Sequence, residues 1–285
     1  MKTMQMEGLK KGGTNMNKIV FFGGGQMGTG IMKGLIAAGV VSAGQIVVSE
    51  INPERRNFLE KELGVRVMED ASGELSGSDE TVTPDIAVIA VNPYQLESVT
   101  DIMKGKVQPE TIVLSIASGT PIAAIEEQLG PELKIVRVLP NTMIEVKTGY
   151  SAVTPNANIT EEDREKIGKF VSALGQIMYI KEDMFQAFSA YAGPGPMYAY
   201  KLIESMINAG VQTGFSREDS RKIVIQNIKG AAMTLEKTGD HPAARVDLMT
   251  SPAGITIDGL EVLENGFAGI VMESIKVCVD KGKRQ

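Results

Sequence analysis

Tryptophan is absent from this chain, and cysteine and histidine each occur once, as Cys278 and His241. A lone cysteine forms no internal disulfide, which points to a reducing, cytoplasmic setting. A lone histidine removes Ser-His-Asp chemistry and His-rich metal centres, so no metal site is expected. No apolar run approaches the roughly 20 residues that span a bilayer, and the densest, Ile86 to Val91, has the length of a strand. Basic charge is not in excess either: 29 Lys and Arg stand against 35 Asp and Glu, a net charge of −6. Neither a nucleic acid nor a membrane partner is expected from this balance. Residues 1–16 lack the apolar segment of a secretory signal and read as a disordered tail.

What is present is a globular composition. Apolar residues make up 43% of the 285 and charged residues 22%, enough to exclude general disorder, and the length fits about two domains. Glycine is over-represented: 31 residues exceed the usual share of roughly 7% and point to tight turns and close backbone approaches.

From residue 17 to about residue 138, strand-like and helix-like stretches alternate. Strands are expected at Lys18–Phe22, Ile46–Ser49, Val65–Val67, Ile86–Val91, Thr111–Ile116 and Lys134–Val138. Helices are expected over Met27–Ala38 and Pro53–Leu63, after Pro93 and after Pro121, and from Thr160, where Asp163 completes a near capping box. Near-continuous apolar strands alternating with helices mean a mostly parallel sheet covered on both faces, a doubly wound α/β domain. After about Ile180 the strand signal stops. Gly195–Ala209, Arg217–Lys237 and Ile255–Lys281, broken near Gly266, read as helices, with Ser216 capping the second. The division expected is a Rossmann domain over 17–182 and an all-α domain over 183–285. So many apolar helical positions are hard to bury inside about 100 residues, and a second copy of the chain is the expected remedy.

The first strand runs into Gly23, Gly24, Gly25, Gln26, Met27 and Gly28, a G-x-G-x-x-G at a strand-to-helix turn. In that context Gly23 permits the tight turn and Gly25 lets the backbone approach a pyrophosphate. Gly28 allows close helix–strand packing, and the phosphates rest on free N–H groups at the helix N-terminus. Glu50 follows roughly 20 residues later at the end of the second strand, where this fold places a ribose-binding acid. Glu50 would accept the 2′-hydroxyl of NAD and repel a 2′-phosphate. Ser49 with Arg55 or Arg56 would instead bind that phosphate, as NADP requires. The expected cofactor is therefore NADP or NAD.

Further motifs follow in order: Ser115-Ile116-Ala117-Ser118-Gly119, Pro140-Asn141-Thr142, Gly149 through Asn156, Gly193-Pro194-Gly195-Pro196-Met197-Tyr198, His241-Pro242-Ala243, and Ser251-Pro252-Ala253-Gly254-Ile255-Thr256. With the glycine turn, this set resembles pyrroline-5-carboxylate reductase, and the resemblance extends over about Asn17 to Lys281. It implies an NAD(P)H-dependent reductase that makes proline from a cyclic imino acid. It also implies helical domains that intertwine into a homodimer, with dimers assembling further into decamers. Carried over by motif, Gly23, Gly25, Gln26, Met27 and Gly28 hold the pyrophosphate. Val91, Asn92, Pro93, Ala117, Ser118 and Gly119 line the cofactor, and Asn141 lies near the nicotinamide. Ser251, Gly254, Ile255 and Thr256 bind the substrate carboxylate, and Thr256 is the candidate catalytic hydroxyl. Residues alone give that last segment an anion-binding logic, since N–H groups of Gly254 and Ile255 open a helix beside the Ser251 and Thr256 hydroxyls. The plainer reading of Ser251 is an N-cap, and of His241 a structural loop or helix start rather than an acid.

Departures from the family pattern gather at the substrate motifs. Met143 replaces a proline, and Ala192, Pro194 and Met197 replace two serines and an alanine. Asn92 replaces a lysine, and Ala253 and Ile255 replace a glycine and a threonine. They leave room for a different cyclic imine as substrate. Two rivals stand beside this reading. A hydroxyacid dehydrogenase would need a lysine at position 199, which is Ala199, while Lys201 is out of register. A regulator on the same scaffold would bind nucleotide without turnover.

Overall fold

A computed structural model describes residues 16–77 and 82–282. The expected tail, up to residue 15, lies outside them. Met16, the last residue assigned to that tail, is instead buried in the core, with its carbonyl accepting from the Gln45 amide at 2.7 Å. The chain divides into two compact units after Ser189.

The first unit runs β1 (Ile19–Phe22), α1 (Gln26–Ala37), β2 (Ile46–Ser49), α2 (Pro53–Leu63), β3 (Arg66–Met68), β4 (Ile86–Ile89), α3 (Leu96–Met103), β5 (Ile112–Ser115), α4 (Ile122–Leu129), β6 (Lys134–Leu139), β7 (Gly149–Pro155), α5 (Glu161–Ser172) and β8 (Gly175–Tyr179). The strands form one eight-stranded sheet in the order β3-β2-β1-β4-β5-β6-β7-β8. All pairs are parallel except β6–β7. Alternation along each strand sorts the core onto two faces. Ile19, Phe21, Val48, Val88 and Leu114 face α1 and α5 through Ile31, Leu35, Ile167 and Phe170. Val20, Phe22, Ile89 and Val113 face α3 and α4 through Leu96, Met103, Ile125 and Leu129. Because both faces are covered, every residue of β1, β2, β4 and β5 is buried. That is why these strands read as continuous apolar runs.

β7 and β8 lie beyond the strands that the sequence pattern announces. The turn Thr142–Val146 joins β6 directly to β7 without a crossover helix, so the chain reverses and pairs antiparallel. The periodic signal of a βαβ unit is absent there.

Ends of helices are fixed by local chemistry. Asn52 caps α2, accepting from the N–H groups of Glu54 and Arg55 at 2.9 and 3.1 Å, and Pro53 occupies the first turn. Gly64 closes it with φ 67°. At α5 the capping box forms: the Thr160 N–H donates to the Asp163 carboxylate at 2.9 Å, and the Asp163 N–H donates to the Thr160 hydroxyl at 3.2 Å. Lys134 on β6 reaches the same carboxylate at 2.9 Å. Burial pushes the Asp163 carboxyl up, but Thr160 and the Lys134 ammonium outweigh it and hold the pKa below the usual carboxylate value. A depressed folded-state pKa contributes stability that is complete above the unfolded value and disappears as pH falls through the folded one. Asp163→Asn is expected to cost about 1–3 kcal/mol at neutral pH, with the difference from the parent shrinking below about pH 4. Denaturant melts over a pH series measure this. A constant difference down to strong acid would contradict it.

The junction carries α6 (Phe185–Ala192). Glu182, just before it, accepts from both Arg137 and the Ile122 N–H at 2.8 Å, while the Arg137 guanidinium lies 4.4 Å from the Phe185 ring centroid. These contacts tie the chain leaving β8 to β6 and α4.

The second unit holds α7 (Gly195–Gln212), α8 (Arg217–Thr238), α9 (Pro242–Asp247), α10 (Ile255–Glu264) and α11 (Phe267–Gly282). Ser216 caps α8 through the Asp219 N–H at 3.0 Å, and His241 caps α9 through the Ala243 N–H at 3.3 Å. His241 is thus a helix start. Close approach of α7 to α8 occurs at Gly210, where a Cβ would stand 2.6 Å from the Ser220 hydroxyl. Large apolar side chains remain open: Leu248 is 77% exposed, Val262 73%, Met272 71% and Ile270 67%. No helix among the described residues is long and apolar enough to cross a membrane.

Candidate active site

The order of the sheet reverses between β1 and β4, and ligands of open α/β sheets bind outside the carboxyl ends of the strands at such a point. Three glycines shape that corner. Gly23 leaves β1 with φ 103°, and a Cβ there would stand 2.5 Å from the Ala90 carbonyl oxygen at the end of β4. Gly28 is packed: its Cβ would meet the Gly23 carbonyl at 2.9 Å. Gly25 differs. A Cβ at Gly25 would meet nothing within 4 Å, so its glycine is not required by protein contacts. Gly25 is also the N-cap of α1 and provides no side-chain cap. N–H groups of Gln26, Met27 and Gly28 in the first turn lack intrahelical acceptors by geometry. An open cradle against an uncapped helix N-terminus fits a pyrophosphate. Gln26 is exposed, and Met27 turns its side chain toward the core.

Neighbouring residues brace this turn. Glu50 accepts from the Gly24 N–H and the Asn52 N–H, both at 2.9 Å. Arg55 donates through Nε to the Gly24 carbonyl at 2.6 Å and through Nη2 to the Thr29 hydroxyl, with its guanidinium 4.6 Å from the Phe58 ring centroid. Thr29 also bonds the Gly24 carbonyl at 3.1 Å. Sequence reasoning misses Thr29, since a threonine inside a helical run carries no signal of its own. Ser49, expected beside a 2′-phosphate, already has partners of its own. It is buried, donates to the Glu69 carbonyl at 3.0 Å and accepts from the Ala71 N–H at 3.3 Å.

The other expected cofactor residues also lie at carboxyl ends of parallel strands. Val91, Asn92 and Pro93 follow β4, and Asn92 donates its side-chain amide to the Tyr94 hydroxyl at 3.2 Å. Ala117, Ser118 and Gly119 follow β5, with Ala117 buried, Ser118 exposed and Gly119 at φ 79°. Asn141 follows β6. Its side-chain oxygen accepts from the N–H groups of Met143 and Tyr150, both at 3.2 Å, which ties the turn to β7.

In the second unit, Ser251 to Thr256 open α10. Gly254 is the N-cap, without a side-chain cap, so Ser251 does not cap this helix through its hydroxyl. The Gly254 N–H donates to the Ser251 carbonyl at 3.0 Å. It is therefore not the free donor expected, and the open donors move to Ile255 and Thr256. Ala253 adopts φ 58°, a left-handed conformation that costs a Cβ-bearing residue about 1–2 kcal/mol. Ser251, Ile255 and Thr256 are exposed, Ile255 at 92%. Among the described residues, no group of three or more His, Cys, Asp or Glu could hold a metal ion.

A doubly wound sheet with this glycine corner, followed by a separate helical unit, defines the class: a Rossmann-type dinucleotide-binding protein. Residues 182–285 match the family profile described as pyrroline-5-carboxylate reductase dimerisation. Residues 18–119 match one described as NADP oxidoreductase coenzyme F420-dependent. The pyrroline-5-carboxylate reductase of Methanosarcina acetivorans is 35% identical over 93% of this chain and 97% of its own length. That of Escherichia coli is 34% identical over 94% and 97%. A crystal structure of Plasmodium falciparum pyrroline carboxylate reductase with NADP bound superposes with a TM-score of 0.81 at 32% identity, covering 95% of this chain and 99% of that one. The chain belongs to the pyrroline-5-carboxylate reductase family.

Proposed function

We propose that this chain reduces 1-pyrroline-5-carboxylate to L-proline with NADPH or NADH. The observation that carries the reading is the open cradle at Gly25 over the uncapped terminus of α1, in a chain whose family reduces that imine. A reduced nicotinamide held there would supply the hydride that the imine carbon accepts, the C=N π pair becoming the amine lone pair. A protonated imine is already a strong acceptor, so the protein mainly has to position and to exclude water.

The chain's own residues then divide the work. Gly23, Gly25 and Gly28 with the N–H groups of Gln26 and Met27 hold the pyrophosphate. Val91, Asn92, Pro93, Ala117, Ser118, Gly119 and Asn141 border the dinucleotide. N–H groups of Ile255 and Thr256, with the Ser251 hydroxyl, bind the substrate carboxylate. The Thr256 hydroxyl orients the imine nitrogen. Ser251→Ala is expected to raise KM by about 10- to 100-fold, the worth of one hydrogen bond to a charged group, while Thr256→Ala keeps its N–H, loses the hydroxyl at the imine nitrogen and should lower kcat. Steady-state kinetics in both reductants measure this; an unchanged KM in Ser251→Ala would defeat its place at the carboxylate, and an unchanged kcat in Thr256→Ala its place at the imine.

The working form in this reading is a homodimer built through the helical unit, with dimers assembling into a decamer, in the cytoplasm. The dimer alone is supported by the apolar side chains of α10 and α11 left exposed in one chain and by the match to a dimerisation profile. No nucleic acid or membrane partner enters it. Ala253, Ile255 and Met143, at positions where the family pattern differs, favour a second reading: a paralogue reducing another cyclic imino acid. Nicotinamide oxidation assayed with five- and six-membered cyclic imino acids tests both, since the first reading requires faster turnover of the five-membered ring.

A further inference from the structure

We infer that Glu50 makes the nucleotide site select NADH over NADPH. This rests on the reading that a nicotinamide dinucleotide binds at the glycine corner. Glu50 directly follows β2, at the carboxyl end of the strand beside β1, where this fold places the adenosine ribose. A carboxylate at that place accepts a hydrogen bond from a free 2′-hydroxyl. A 2′-phosphate brings negative charge and, when fully ionised, no proton to donate.

Two features of this chain make the selection firm. The first is that the carboxylate is fixed. One oxygen accepts from the Gly24 N–H and the other from the Asn52 N–H, both at 2.9 Å, so the charge is held against the turn. Each oxygen retains a second acceptor position for a ribose hydroxyl. The second feature is that the groups able to compensate a phosphate already have partners. Ser49 bonds the Glu69 carbonyl and the Ala71 N–H. Arg56 donates to the carbonyls of Glu50 and Ile51, both at 2.9 Å, and lies 3.6 Å from the Glu69 carboxylate. Arg55 is engaged by the Gly24 carbonyl and the Thr29 hydroxyl and packs over Phe58. Each guanidinium keeps N–H donors beyond these bonds, but the bonds fix where it sits at the turn.

The test is direct binding, without imine, of NADH and NADPH to the purified full-length protein, followed by nicotinamide fluorescence. The expected result is a Kd for NADH at least about tenfold below that for NADPH, the worth of one charge-assisted hydrogen bond. Glu50→Gln keeps an acceptor of the same shape for the turn and removes the charge. It should bring the two dissociation constants together, mainly by tightening NADPH. Equal or tighter NADPH binding by the parent overturns the proposal, as does a ratio that Glu50→Gln leaves unchanged. Should the variant not fold, the parent's ratio still decides. Binding of neither nucleotide would overturn the glycine-corner reading and this proposal with it, whereas binding without imine turnover would leave the proposal standing and count against the reaction alone.

Discussion

Gly25→Val is expected to abolish most dinucleotide binding while leaving the fold nearly intact. A Cβ at that position meets no protein atom within 4 Å, and the backbone there, at φ −61° and ψ −172°, suits any residue. Exchanging glycine for valine at an N-cap should cost no more than about 1 kcal/mol of stability. The added isopropyl group would stand where the pyrophosphate approaches, and would lift it from the N–H groups of the first turn of α1. Losing two charge-assisted hydrogen bonds corresponds to an affinity at least about 100-fold weaker. Gly23→Ala is the instructive contrast. Its Cβ would stand 2.5 Å from the Ala90 carbonyl oxygen at φ 103°, so it should destabilise the domain as well. Nucleotide titration alongside a denaturant melt separates the two cases. Unchanged affinity in Gly25→Val would remove the corner from the account.

The second large effect concerns the helical unit. Ile270 on α11 is 67% exposed in one chain, and Val262 on α10 is 73% exposed. If a second copy covers them, Ile270→Asp places an unpaired carboxylate in an apolar interface, at a cost of about 3–5 kcal/mol. The variant should then sediment as a smaller species than the parent and lose activity with assembly. If the face is open to water in solution, the same change should cost under about 0.5 kcal/mol and alter neither mass nor rate. Equilibrium sedimentation distinguishes these outcomes, and a monomeric parent would contradict the homodimer outright.

Legibility of the sequence followed the physics of each element. β1, β2, β4 and β5 are buried on both faces, so their residues form continuous apolar runs that announce themselves. Helices α2, α5 and α8 carry their own punctuation in Asn52, Thr160 and Ser216, and each of these side chains makes the capping bond its residue type implies. β7 and β8 escaped because the direct turn after β6 breaks the alternation on which a βαβ reading depends. α9 escaped because six residues make fewer than two turns, and α6, though as long as α3 and α4, has no proline ahead of it to mark its start.

The nucleotide corner was legible because glycines spaced this way between a strand and a helix answer to a phosphate's size and charge, and the geometry gives each glycine a separate reason. Hydroxyl roles were not. Ser49 looked available for a phosphate, yet its position as the last residue of a buried strand turns it toward Glu69 and Ala71. The Gly254 N–H looked free but closes a turn onto the Ser251 carbonyl. Side-chain type signals what a residue is able to bond, and only the backbone around it decides whether that bond is already made.

The most direct test mixes the purified protein with 1-pyrroline-5-carboxylate and a limiting amount of NADH, and in parallel NADPH, then quantifies L-proline. The expected result is one L-proline formed for each reduced nicotinamide consumed, with Gly25→Val inactive at the same nucleotide concentration. Retention of all the reduced nicotinamide by a folded protein that binds it would contradict the assignment.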